Sequence, residues 1–352
     1  MSKRDHYFDN AKFFLMFLVF FGHMIQPFTG ENREISSIYK VIYSFHMPAF
    51  IIISGYFAKN FKKRGYFKKL IKKLILPYII FQIIFSVFYY FLRNEQELDL
   101  GLSVPHWSLW YLISLFFWNV LLIPFSKLNW MKGIGLSIAL SLIAGYVNEI
   151  DAFLSLSRTI VFFPLFLIGF HLNRGHFSLI RKKQFRFPAI MIFFSIFCYF
   201  YFNPGFDSEW FYGRNPYEIL GADLSLAPFM RAGMYLLNLA AAASFFSFIS
   251  EKESFITKYG RNTLYVYLLH GFIIQPLRES TMIEKLDMDL YLFVFLALFT
   301  FVCTLILAGK VVTTIAEPVI ELKTTRWREL IHRFKKKKAN KYDFSEKDKL
   351  AQ

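Results

Sequence analysis

Phe13-Phe14-Leu15-Met16-Phe17-Leu18-Val19-Phe20-Phe21-Gly22-His23-Met24-Ile25-Gln26 is apolar but for Gly22, His23 and Gln26. With its flanks it fills residues 13–29. At about 1.5 Å per helical residue it nearly spans a hydrocarbon layer of about 30 Å. Similar runs recur at 38–57, 74–92, 107–125, 132–148, 159–173, 187–202, 230–249, 262–278 and 288–310. Soluble domains do not repeat such runs, so the pattern predicts an all-α integral membrane protein of about ten transmembrane helices. The chain is 55% hydrophobic with mean hydropathy +0.38, against about 45–50% apolar residues in soluble domains. Its 46 Phe and 20 Tyr suit lipid-facing and interfacial positions. The first run follows basic residues, like a signal peptide, but lacks a small-residue cleavage site and carries His23. It is expected to stay as the first helix.

The net charge of +16 would point to nucleic acid in a soluble protein. Here the basic residues fall in alternate joints, and topology accounts for them. Lys3 and Arg4, Lys59 through Lys73, Lys127 and Lys132, Arg174 through Arg186, and Lys252, Lys258 and Arg261 lie on one side. Glu31, Arg33 and Glu34, Arg93 through Asp99, Glu149 through Arg158, Asp207 through Asp223 and Glu279 through Asp289 lie on the other. The positive-inside bias then puts both termini in the cytoplasm. The expected division is a transmembrane domain over 1–310 and a basic cytoplasmic tail over 311–352, whose Lys335–Lys338 suit anionic lipid. The long joint at 203–229 is expected to cap an outward-facing site. Cys198 and Cys303 sit inside apolar runs and read as small core residues.

Ionisable side chains at membrane depth default to functional candidates. His23 lies about ten residues into the first helix. Lys12 is eleven positions earlier, and eleven steps of about 100° return to within about 20° of one direction. Lys12 and His23 thus share a face, with Asp9 and Gln26 near it. His46 precedes Pro48, which should kink the second helix, and Ser54-Gly55-Tyr56 follow; Gly55 permits close helix packing. Thr263, Tyr267 and His270 share a face at i, i+4 and i+7. Helix packing and interhelical hydrogen bonding remain the competing explanation for each set. The cluster Lys68, Lys69, Lys72 and Lys73 before Pro77-Tyr78 suits either topology or a phosphate-rich ligand. There is no His-Glu-x-x-His, no Walker loop and no cysteine pair at zinc spacing. No histidine is followed five residues later by Asp.

At these residues the chain resembles the acyltransferase 3 family, close to its fucose 4-O-acetylase-like branch, over about residues 5–310. Phe8-Asp9-Asn10-Ala11-Lys12 with ten residues before His23 is similar to the family's Arg/Lys-x10-His pattern. His46-Met47-Pro48-Ala49-Phe50, the basic cluster before Pro77, Trp107-Ser108-Leu109-Trp110-Tyr111-Leu112, Phe163-Pro164 with Gly169, and the helix ending in His270 add to it. The family often has paired arginines where this chain has Lys72 and Lys73. An ammonium is a point charge, not a fork, so the phosphate contacts differ.

The resemblance implies transfer of an acyl group, most often acetyl, from cytoplasmic acyl-CoA to a hydroxyl of a cell-surface or exported glycan. Acetyl-CoA would be a co-substrate, with no bound cofactor and no metal. The implied partners are acyl-CoA, a glycan or glycolipid acceptor and membrane lipid, with no nucleic acid. The implied location is the cell membrane, of the bacterial cytoplasmic type. His23 and Lys12 would be catalytic, His23 either as base or as carrier of the acyl group, and Lys12 or another cation to stabilise the thioester oxygen. Asp9, His46, Ser54, Tyr56, Trp107, Trp110 and His270 would position groups or bind substrate. Lys69, Lys72 and Lys73 would hold the acyl-CoA. The rival class is a transporter or flippase of a lipid-linked or polymeric glycan, which membrane histidines and a basic loop also suit; a sensor without chemistry is a third.

Overall fold

The computed structural model describes residues 5–30, 32–150, 153–280 and 286–329. Lys3, Arg4, Glu31, Asp151, part of the 279–289 joint and the Lys335–Lys338 stretch lie outside the described residues. All ten predicted runs are helical, and the described residues contain no strand. The helices are α1 (His6–Ile25), α2 (Arg33–Phe57), α3 (Tyr66–Leu70), α4 (Leu76–Leu92), α5 (Trp110–Phe125), α6 (Trp130–Ala144), α7 (Leu156–His171) and α8 (Arg174–Ile180). They continue as α9 (Arg186–Phe202), α10 (Ala227–Phe248), α11 (Thr257–Gly260), α12 (Thr263–Leu269), α13 (Gly271–Glu279), α14 (Leu290–Leu307) and α15 (Lys310–Ile320). Among the described residues, 8 helical stretches are long and apolar enough to span a membrane; α6 is apolar but shorter.

α1 starts earlier than its apolar run, because Asp5 caps it by accepting from the Tyr7 amide at 3.1 Å. That cap carries Asp9 and Lys12 onto the helix. α3 and α4 join through a π-helical stretch, Ile71–Ile75, which makes one long element of Tyr66–Leu92. The predicted helix over 262–278 is instead broken at His270 into α12 and α13. α15 forms a helix at the head of the predicted tail, with Tyr265 Oη donating to Glu321 at 2.8 Å just beyond it.

The centre of the bundle is the crossing of α2 and α7. A methyl on Gly55 would lie 2.0 Å from the Phe166 carbonyl oxygen, and one on Gly169 would lie 2.1 Å from that of Ile52. Only glycine lets the two backbones approach this closely, as Gly55 led us to expect. α9 and α14 are apolar all round and expose Phe187, Phe194, Leu290, Phe295 and Leu298, as lipid-facing helices do.

After α4 the chain does not cross directly into α5. It turns back along α4, where Tyr78 donates to Leu102 O at 2.6 Å and Gln82 to Gly101 O and Val104 O at 2.8 and 2.7 Å. Ser86 pairs with His106 Nε2 at 2.8 Å. Irregular backbone beside a membrane helix must find polar partners, and α4 supplies them from one face. This re-entrant strap delivers Trp107 to the interior. Trp107 itself has a φ of 36°, a left-handed conformation that is strained for a bulky residue.

Candidate active site

One cavity of about 580 Å³ runs through the bundle. Lys12, Ala58, Tyr66, Lys73 and Thr263 line one end; Arg158, Glu209, Arg214 and Arg278 line the other. On the orientation expected from the positive-inside bias, the first end would face the cytoplasm. His23, Tyr43, His46, Ser54, Trp107, Trp110, Tyr111 and Tyr267 line the stretch between. The inferred sharing of a face by Lys12 and His23 thus corresponds to two residues on one cavity wall.

His23 is the centre of a polar and aromatic knot. Its Nδ1 lies 3.2 Å from Tyr43 Oη, and its ring centroid lies 4.5 Å from Trp107 and 5.8 Å from His270. Arg278 donates to the His23 carbonyl at 2.8 Å and to Gln26 Oε1 at 2.5 Å. Tyr43 stacks on Tyr39 at 4.0 Å and meets the His46 ring at 4.5 Å. Tyr39 and Tyr212 hydroxyls are 2.5 Å apart, so a chain of phenols ties α2 to the 203–226 loop.

The other histidines are held differently. His46 is buried, and its Nδ1 donates to the Ile42 carbonyl at 2.8 Å, which leaves Nε2 as the nitrogen with a free lone pair. His270 sits at the α12–α13 break with Nδ1 bonded to Val266 O at 3.0 Å. It is wholly buried behind Trp107, 4.8 Å between rings, and does not line the cavity. His270 therefore backs the Trp107–His23 contact.

At the basic end Asp9 is buried and receives Lys12 Nζ at 2.8 Å; Arg261 lies 3.5 Å from its other oxygen. Asn10 fixes the start of α1 by donating to Ser250 O and Lys252 O and accepting from Thr257. Eleven residues of helix place Lys12 about 16 Å along the axis from His23. This spacing, with the ammonium held by Asp9, favours a role for Lys12 nearer the cavity end than the thioester oxygen beside His23. Of the three loop lysines, Lys73 lines the cavity, whereas Lys69 and Lys72 are exposed outside it. Ser54 Oγ pairs with Tyr111 Oη at 2.6 Å. Tyr56 faces away from the cavity, against Phe8 and the Lys59 ammonium.

Sequence reasoning missed the far end. Arg158 stacks on Trp110 at 4.9 Å and donates to Tyr212 O at 3.3 Å; Arg278 lies 5.8 Å over Trp107. Glu209 holds Arg214 through two oxygens at 3.1 Å each, and Asn215 at 2.9 Å. Glu209, Phe211, Tyr212 and Arg214 come from the joint expected to cap a site, and they line this end of the cavity. The missed signal was the presence of arginines on the side that the charge bias depletes.

Fold and cavity together define a polytopic membrane protein with an internal polar site reached by different chemistry at its two ends. The chain belongs to the acyltransferase 3 family, whose acyltransferase domain matches residues 5–309. It is similar to the nodulation protein NolL of Sinorhizobium fredii, with 27% identity over 143 residues. That match covers 36% of this chain and 39% of the relative. NolL of Mesorhizobium japonicum is likewise 27% identical, over 36% of this chain and 38% of its own length. The chain thus matches well under half the length of these curated relatives. No solved structure matches it.

Proposed function

We propose that the protein is a cell-membrane O-acyltransferase that moves an acetyl group from cytoplasmic acetyl-CoA to a hydroxyl of an exported or cell-surface glycan. The observation that carries this reading is one cavity that runs from Lys12 and Lys73, past His23 with Trp107 and Trp110, to Arg158, Arg214 and Arg278. Family membership supplies the reaction class.

Lys12 and Lys73 would meet the phosphates of the donor, with Lys69 and Lys72 adding attraction at the entrance. The pantetheine arm is long enough to carry the thioester from there to His23. The acceptor would enter past Trp107 and Trp110, whose rings suit the apolar faces of a sugar. In the tautomer that donates Nδ1–H to Tyr43 Oη, His23 would keep Nε2 as its basic nitrogen. The acceptor hydroxyl gives its proton to that nitrogen as its oxygen attacks the thioester carbon. Collapse of the tetrahedral intermediate breaks the C–S bond, and the imidazolium returns the proton to the departing thiolate. Asp9 keeps Lys12 extended along the wall, and His270 and His46 position Trp107 and Tyr43.

Membranes containing the protein, incubated with acetyl-CoA labelled in the acetyl group, should pass label to glycan. Retention of all label in acetyl-CoA, with glycan export lost when the gene is removed, would support a transporter instead.

A further inference from the structure

The charges lining the cavity are unequal in a way that acyl-CoA does not explain. Among the described residues that line it, Lys12, Lys73, Arg158, Arg214 and Arg278 are cationic and Glu209 is the carboxylate, which Arg214 holds. Lys12 and Lys73 belong to the donor end. The three arginines and Glu209 are at the opposite end, where an acetyl thioester brings no charge. Topology does not account for them, because this is the side that the positive-inside bias depletes.

Their setting also differs from that of surface arginines. Arg158 and Arg278 are half-buried, each over the ring of a cavity tryptophan. The hydrogen bonds of Arg278 go to uncharged oxygens, the His23 carbonyl and Gln26. Among the described residues Arg278 forms no ion pair, and its buried Nε has no hydrogen-bond partner. A guanidinium only donates, and a half-desolvated one gains most from an anionic oxygen. A neutral sugar, which offers as many donors as acceptors, would leave Arg278 undercompensated.

We propose that the acceptor is anionic, with a carboxylate or phosphate group that seats between Arg278 and Arg158, under Arg214, and so turns a neighbouring hydroxyl toward His23. Glu209 then keeps Arg214 extended over the mouth. The proposal rests on the acyl-transfer reading and adds to it the class of acceptor.

The test uses the full-length protein in lipid nanodiscs with labelled acetyl-CoA and three acceptors. One is an oligosaccharide containing glucuronate. The second is the same oligosaccharide with its carboxyl groups reduced to alcohols. The third is a neutral oligosaccharide linked to a polyprenyl pyrophosphate. The expected result is a KM at least about tenfold lower for one charged acceptor than for the reduced one. The uronate arm identifies a sugar acid as the source of charge, and the pyrophosphate arm a lipid-linked phosphate. Arg278→Gln and Arg158→Gln should raise that KM while the KM for acetyl-CoA stays unchanged, and Arg278→Lys should restore part of it. Arg214→Gln, at an exposed position, provides a variant whose folding is not at issue and should act in the same direction. Equal use of all three acceptors, or variants that slow the charged and reduced acceptors alike, would overturn the anionic acceptor and leave acyl transfer standing. Acetyl-CoA that is never consumed with any acceptor would overturn both.

Discussion

Tyr43→Phe removes one oxygen atom and little else. The ring keeps its stack on Tyr39 and its edge contact with His46, at 4.0 and 4.5 Å between centroids. What is lost is the contact at 3.2 Å with His23 Nδ1. In the proposed mechanism that contact selects the tautomer with Nε2 unprotonated. A hydrogen bond between neutral groups contributes about 0.5–1.5 kcal/mol net. With about 1.4 kcal/mol per factor of ten, kcat should fall about two- to twelvefold. KM for acetyl-CoA should stay within about twofold, because Tyr43 is remote from Lys12 and Lys73. The assay is steady-state acetyl transfer by purified protein, with the thermal unfolding midpoint recorded in parallel. An unchanged kcat in a protein of unchanged stability would refute the view that Tyr43 orients His23. A fall in kcat accompanied by a comparable rise in KM would place Tyr43 in substrate binding.

Other expectations follow from the packing and charge. Gly169→Ala forces a methyl to within 2.1 Å of the Ile52 carbonyl oxygen; overpacking costs about 1–3 kcal/mol, so the unfolding midpoint of the purified protein should drop clearly, and an unchanged midpoint would mean that α2 and α7 can separate. Lys73→Gln should raise the KM for acetyl-CoA more than Lys69→Gln or Lys72→Gln does, because Lys73 alone of the three lines the cavity; equal effects would assign all three to general attraction. Reporter fusions after Asp99 and Glu218 should read outside and a fusion after Arg64 inside, and an inside reading at Glu218 would reverse the assignment of the two cavity ends.

The helices were legible because each apolar run is long and the charge bias alternates between joints. The Lys12–His23 face was legible because helical periodicity is local. Gly55 was legible for the same reason, as a small residue on an apolar helix. The interruption at His270 was not, since a single residue separates α12 from α13 and no proline falls at it. The strap over 101–106 left a trace that periodicity would have exposed. Tyr78, Gln82 and Ser86 recur at intervals of four on an otherwise apolar helix, and all three bond the strap. Arg158 and Arg278 were not legible, because a charged residue at the end of an apolar run reads equally as a membrane-interface residue. Only the folded chain shows that they turn inward.

His23→Gln tests most directly whether His23 performs the proton transfer. Glutamine retains hydrogen-bonding capacity toward Tyr43 and offers no basic nitrogen to the cavity. General bases contribute about 10²–10⁴-fold in rate. His23→Gln should therefore insert and melt like the parent, keep its KM for acetyl-CoA, and lose at least about a hundredfold in acetyl transfer. His270→Gln should lose less, because His270 acts through Trp107. A His23→Gln protein of parental stability that retains most of its acetyl transfer would contradict the account.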